Sequence, residues 1–201
     1  MEKESTRILA EIIKKRRTRK PSQFSKETPS TQLIKSLIEI ARHAPNHHRT
    51  EPARFYLLNK EKILQVGRLF GETIAKGRED PILIEKGKRK TKEWGESPGL
   101  IIITCHTDTS SELVRKNPAV IEENYATCSC ICQNLLLLLE SESIASKWST
   151  GPVWEHPMFN KVVGIKNSNY ERVVGLIFYG YSSQKVTPRE LQNIENHLIE
   201  D

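Results

Sequence analysis

Apolar residues Ile8, Leu9, Ile12 and Ile13 recur at the spacing of one helical face, which predicts a helix over residues 5 to 16 with that stripe packed inward. A second stripe, Leu33, Ile34, Leu37, Ile38 and Ala41, follows Thr28-Pro29, a pair suited to an N-cap and a first helical proline, and Pro45 should end this helix. Arg54 to Leu58 is then short, aromatic and apolar. Leu100 to Cys105 is β-branched and nearly continuous, as expected of a strand covered on both faces, and Val173 to Tyr179 repeats the pattern. Helical spacing returns at Lys60 to Lys76, in polar charged form at Ile82 to Trp94, and in a long segment from about Ile121 to Glu142. A short strand near Trp148 and a helix near Pro157 to Val163 complete the order.

The long helix is apolar nearly all round from Ile131 to Leu139, more than the surface helix of a monomer requires. It is either central to the fold or buried in a dimer interface. The order of elements reads as α+β, with helices surrounding a central mixed β-sheet, and there is no internal repeat. The longest apolar stretch, Cys128 to Leu139, is broken by Ser129, Gln133 and Asn134 and falls short of the ~20 residues a membrane span needs, so no membrane is expected as partner. With 201 residues and 37% apolar content, residues 1–201 read as a single domain, or as a protomer that shares part of its core with a second copy.

Lys and Arg outnumber Asp and Glu by 31 to 25, a formal charge of +6 that favours anionic ligands, among which phosphate-bearing cofactors and nucleic acid both fit. The charge gathers in two runs, Lys14 to Lys20 and Lys86 to Lys92, and the second also reads as a solvated surface. A nucleic-acid-binding module would use both runs, but neither aromatic interleaving nor a binding motif accompanies them. Met1 to Glu11 carries Glu2, Glu4 and Glu11 with no apolar stretch suited to a signal peptide, which predicts a cytoplasmic location and reduced thiols for the four cysteines.

Cys128, Cys130 and Cys132 invite a metal reading. At ~100° per residue on a helix, however, Cys130 points nearly opposite to the other two, so three thiolates cannot converge and no metal is expected. Neither a Gly-x-Gly-x-x-Gly fingerprint nor a Walker loop occurs, which removes the Rossmann and P-loop sites.

Arg16-Arg17-Thr18 follows the first helix, where guanidinium forks and a hydroxyl can grip a phosphate. The same cations also suit a solvated helix C-terminus. Residues Ala41-Arg42-His43-Ala44-Pro45-Asn46-His47 leave two histidines in the turn before Pro52 and the first strand. His47 is open to a purely local role, bonded to backbone, and Trp148 to that of a core aromatic.

Arg-Arg-Thr after a helix, then the Ala-Pro turn, then a proline and an aromatic strand resemble the N-terminal half of nitroreductase-family flavoproteins, most of all the short YdjA-like subgroup. Ser97-Pro98 before Leu100 to Thr104, Glu122-Glu123 opening the long helix, Lys147-Trp148-Ser149-Thr150-Gly151 and Val174 to Gly180 continue the resemblance over nearly the whole chain.

The resemblance implies a nitroreductase-like fold, dimeric with a long buried interface helix, and FMN held at the interface. Arg16, Arg17 and Thr18 would lie near its phosphate and polar ring edge, with roles for His43 and His47. Trp148, Ser149 and Thr150 match a second flavin segment, contributed across the dimer, and Leu138 to Ser143 match a stretch associated with the nicotinamide cofactor. In departure from relatives, His43 and Ser149 stand where arginine is usual and Ala53 where tryptophan is, while Arg49 can compensate.

The implied function is that of an FMN-dependent oxidoreductase and homodimer. NADH or NADPH would supply electrons to a nitroaromatic, quinone or related small-molecule acceptor in ping-pong fashion. Since a flavin does the hydride chemistry itself, few acid–base groups are required, and no catalytic residue is assigned. A flavin storage or sensor protein with little turnover is the alternative.

Overall fold

Four strands, β1 (Ala53–Leu57), β2 (Gly99–His106), β3 (Ile144–Ser149) and β4 (Glu171–Tyr181), form one sheet in the order β1-β2-β4-β3. The computed structural model describes residues 3–76 and 79–200; Met1, Glu2, Gly77, Arg78 and Asp201, and with them part of the acidic N-terminal segment, lie outside the described residues. All three ladders are antiparallel, so the sheet is not the mixed one expected; an isolated parallel bridge joins Thr18, outside the four strands, to Ser146.

The continuous apolar run of β2 serves both faces of the sheet. Ile101, Ile103 and Cys105 face a core shared with helices α2 (Thr31–Ala41) and α6 (Val120–Ser141). Leu100 and Ile102 face a second core beneath α3 (Lys60–Ala75), α7 (Phe159–Val163) and the 3-10 turn Pro152–Glu155. Opposite Ile103 and Thr104 the register slips from Gly175 to Val173, leaving Val174 as the extra residue of a bulge. That slip puts Val174 and Ile177, an odd number of residues apart, in the same core on the α6 side.

α6 lies at the centre of the first core: Leu135 and Leu139 are fully buried, Leu137 and Leu138 half-buried, and Gln133 exposed. Cys128 and Cys132 are buried among apolar neighbours while Cys130 is exposed, the division expected from helical geometry. Among the described residues, no helix is long and apolar enough to cross a membrane.

Two local expectations are corrected. Ser30, rather than Thr28, caps α2: its hydroxyl accepts from the Leu33 N–H at 3.2 Å, the N3 position a capping oxygen reaches, and Pro29 precedes the cap. α1 (Glu4–Lys15) forms, but its stripe is not packed inward, since Ile8, Leu9 and Ile13 are 52%, 51% and 47% exposed. Periodicity specified the apolar face of this helix, and the described residues cover it only in part.

The charged helix α4 (Pro81–Gly95) is held by the near absence of side chain where it meets α3. A Cβ on Gly67 would lie 2.5 Å from the Gly95 nitrogen, and one on Gly87 would lie 2.7 Å from the Gly71 carbonyl oxygen. The two backbones therefore touch, and Lys86, Lys88, Arg89 and Lys92 remain exposed, as the solvated reading of that run has it. A short helix not evident from the pattern, α5 (Glu112–Lys116), is capped by Ser111.

Candidate functional site

The chain leaves α1 at Arg16, whose N–H still donates to the Ile12 carbonyl at 2.9 Å, and runs beside the β3 edge. Thr18 bridges Ser146, and the Arg19 N–H donates to the Ser146 carbonyl at 3.0 Å. Arg17 Nη1 donates to the Arg16 carbonyl at 2.6 Å, while its Nε is buried without a hydrogen-bond partner. Arg19, absent from the predicted set, is buried; its Nη1 donates to Glu140 Oε2 at 3.3 Å and its Nε is also unpartnered. Lys15 lies 3.9 Å from the other Glu140 oxygen. Two cations, Lys15 and Arg19, thus meet one carboxylate at the C-terminal end of α6, and Arg17 and Arg19 in the same segment carry unused buried donors.

Trp148, Ser149 and Thr150 lie on and just beyond the end of β3. The indole of Trp148 is half-buried, donates to the Val174 carbonyl at 3.3 Å and covers Gly175 so closely that a Cβ there would sit 2.1 Å from Nε1. Ser149 is buried and Thr150 exposed. Since Thr18 pairs with Ser146, these residues lie further along the same edge, by ~7 to 13 Å at ~3.3 Å per residue.

His43 belongs elsewhere. It is exposed in the turn after α2 and lines a cleft of about 670 Å³ together with Arg42, Arg49, Ala53, Phe55 and Ile131, among others. Arg42 is spent on Glu39 and Glu51, at 2.8 and 3.2 Å, while Arg49 faces the cleft beside Ala53. His47 lies in the adjoining 3-10 turn His47–Arg49, its Nδ1 2.7 Å from Glu123 Oε2. That turn is pinned to α6: Thr127 Oγ1 donates to the Pro45 carbonyl at 2.9 Å, and Thr50 Oγ1 bonds to Asn124 Oδ1. The buried Asn124 in turn donates to Thr107 Oγ1 at 2.9 Å.

The eight predicted residues therefore form two sets. Arg16, Arg17 and Thr18, with Trp148, Ser149 and Thr150, follow the β3 edge, whereas His43 and His47 lie beyond the N-terminal half of α6, near the opposite edge. Glu123 touches the second set and Glu140 the segment of the first, and ~25 Å of helix separate them at ~1.5 Å per residue. A single chain does not bring the two sets together.

The model of the Nitroreductase family matches residues 13–181. The chain belongs to the nitroreductase family. The matched span runs from inside α1 to the end of β4 and takes in both sets. A nitroreductase-like fold is shared with solved structures. One is the nitroreductase-like family protein from Bacillus cereus, with a TM-score of 0.77 and 21% identity, covering 96% of this chain and 95% of that one. Another is a nitroreductase with bound FMN from Bacteroides fragilis, with a TM-score of 0.69 and 20% identity, covering 96% and 98%. Among curated proteins, the "Putative NAD(P)H nitroreductase YfhC" of Bacillus subtilis (strain 168) is 25% identical over 194 residues, 96% of this chain and 94% of that protein. In this nitroreductase-family chain, Arg19 carried a legible signal in its partner, since Glu140 places a charge directly after the apolar run Leu135 to Leu139. Glu123 entered the resemblance only as part of Glu122-Glu123, without a link to the histidine turn, and Asn124 and Thr127, which also hold that turn, had no signal beyond helical position.

Proposed function

We propose that the protein is an FMN-dependent oxidoreductase that uses NADH or NADPH to reduce a nitroaromatic, quinone or related small electron acceptor. It works as a cytoplasmic homodimer of single-domain protomers spanning residues 1–201. Family membership supports the reaction class. The observation that carries the cofactor is the pair of buried Nε groups, on Arg17 and Arg19 in the segment that follows α1, that lack acceptors. Unused buried donors are costly, and a phosphate dianion is the kind of ligand that satisfies guanidinium forks.

Arg16, Arg17 and Thr18 hold the phosphate and the polar ring edge in this reading, and Trp148, Ser149 and Thr150, which share the β3 edge with Thr18 in one chain, add the second contact segment from that same chain rather than across the dimer. His43 and His47 reach the flavin from a second copy. Two copies paired with their α6 helices antiparallel bring each set beside its complement, because the sets lie at opposite ends of that helix. The partly covered stripe of α1 gives the second copy an apolar surface to bury. The Leu138 to Ser143 stretch, at the C-terminal end of α6 beside Arg19, is where the nicotinamide donor is bound. When bound, the flavin supplies the hydride chemistry; the protein supplies binding, orientation and exclusion of water. Donor and acceptor occupy one site in turn, a ping-pong sequence.

Ser149 favours a second reading. It is a buried neutral residue where relatives place arginine, which suits a flavin-binding protein with little turnover. The nucleic-acid reading loses support because Arg16, Arg17 and Arg19 are half-buried or buried rather than offered to a polyanion. The test is a visible spectrum with FMN titration, followed by steady-state oxidation of NADH and NADPH with a nitroaromatic acceptor. Saturable FMN binding with turnover supports the enzyme, and binding without turnover the storage reading. No FMN binding removes both.

A further inference from the structure

The turn that carries His47 contains a second histidine, His48, and the two face the same carboxylate. Their rings stack with centroids 3.9 Å apart, and His48 is held in the left-handed region at φ 59°. His47 Nδ1 lies 2.7 Å from Glu123 Oε2, and the ligand-capable atoms of His47, His48 and Glu123 all lie within 4.8 Å of one another. From this arrangement we propose a binding site for a zinc-class transition-metal dication, held by the two imidazoles and the Glu123 carboxylate.

The donor set selects the ion. Two nitrogens and one carboxylate oxygen are ligands that zinc accepts in tetrahedral geometry, with the fourth position left to water or another small ligand. Calcium and magnesium call for oxygen ligands and fit poorly. Tetrahedral ligands at ~2.1 Å from zinc stand ~3.4 Å apart, so the three groups must close by roughly an ångström and the stacked imidazoles must turn until their in-plane lone pairs converge. They have the freedom to do so: the His47 and Glu123 side chains are 62% and 38% exposed.

Beneath them the scaffold is fixed. The hydrogen bonds from Thr127 to the Pro45 carbonyl, from Thr50 to Asn124 and from Asn124 to Thr107 clamp the histidine turn onto the helix that presents Glu123. The ligands come from segments far apart in sequence, yet their backbones are already in register. None of the three lines the 670 Å³ cleft, so the ion would sit on its rim. Because His47 also belongs to the set assigned above to the flavin, an occupied site would draw it away. That consequence rests on the flavin reading; the metal site does not.

The test is calorimetric titration of the purified full-length protein with zinc chloride, after dialysis against a chelator and then against metal-free buffer. One zinc per chain is expected. His48→Ala and Glu123→Gln should each weaken binding at least tenfold, and the double variant should lose it, with circular dichroism unchanged. Cys130→Ser, which removes the exposed thiol, should bind zinc as the parent does. Binding unaltered by His48→Ala and Glu123→Gln, or lost with Cys130→Ser, overturns the site. Zinc is titrated without donor or acceptor, so the outcome is independent of whether the protein turns over.

Discussion

Arg19 and Glu140 form an ion pair at 3.3 Å with both side chains nearly out of solvent, 10% and 3% exposed. The pair ties the segment after α1 to the last turn of α6, and so sets where Arg16 and Arg17 stand.

Removing one partner of such a pair leaves an uncompensated buried charge, at a cost of about 3 to 5 kcal/mol, whereas replacing both by apolar groups is close to neutral. Arg19→Met should therefore lower the urea midpoint sharply. Arg19→Met combined with Glu140→Leu should recover most of the loss. Equal destabilisation of the single and double variants would show that the pair is not the origin.

Arg16 and Arg17 follow the apolar stripe of α1 without joining it, so their joint replacement by alanine should leave a folded dimer. Each charge-assisted hydrogen bond lost costs ~1.5 to 3 kcal/mol, so FMN affinity should fall at least tenfold, a factor worth ~1.4 kcal/mol. Titration of flavin fluorescence measures this, and unchanged affinity would exclude the assigned role.

Gly175→Ala places a methyl group where the Trp148 indole lies, 2.1 Å from Nε1. The ring must leave the Val174 carbonyl. We expect a loss of ~1 to 3 kcal/mol from overpacking, a red-shifted tryptophan emission and weaker FMN binding. Retention of the emission maximum would mean that the strand, rather than the indole, gives way.

Burial pushes the Tyr179 phenol up to about 12, and burial with a hydrogen bond to Glu171 does the same for Tyr56. For both, the folded value exceeds the ordinary 10.0, so their stabilising contribution is complete below pH 10 and is lost as pH rises to 12. For Tyr179 that loss is roughly 2 to 3 kcal/mol. Cys132, pushed up to about 12 by burial, adds a decline that begins near pH 9. Urea midpoints from pH 9 to 12 should fall, and Tyr179→Phe should flatten the slope.

If the stripe of α1 meets a second copy, Leu9→Glu should favour the monomer, measured by light scattering over a dilution series, and raise the apparent Kd for FMN. A dimer as tight as the parent would place the interface elsewhere.

Long uninterrupted patterns in the sequence translated directly into structure. β2 and α6 lie within a residue or two of where Leu100 to Cys105 and Ile121 to Glu142 put them, because burial on both faces leaves no alternative arrangement. The cap of α2 was ambiguous, since Thr28 and Ser30 are both capping residues; only the distance to the Leu33 N–H separates them. A stripe such as Ile8, Leu9 and Ile13 tells which face of a helix avoids water, but not whether its own chain or another supplies the cover. The site was legible as segments and not as an assembly. The grouping of Arg16, Arg17 and Thr18 with β3 depends on a bridge to Ser146, and the placement of His47 depends on Glu123, both far away in sequence.

The contact between α3 and α4 has a consequence for how this part of the molecule moves. Side chains at most helix interfaces act as a compliant layer that absorbs small displacements by changing rotamer. At Gly67, Gly71, Gly87 and Gly95 there is almost no such layer, so the hairpin has little slack to dissipate a push. A displacement applied at one helix meets backbone of the other at these positions, so the pair should respond as one stiff unit.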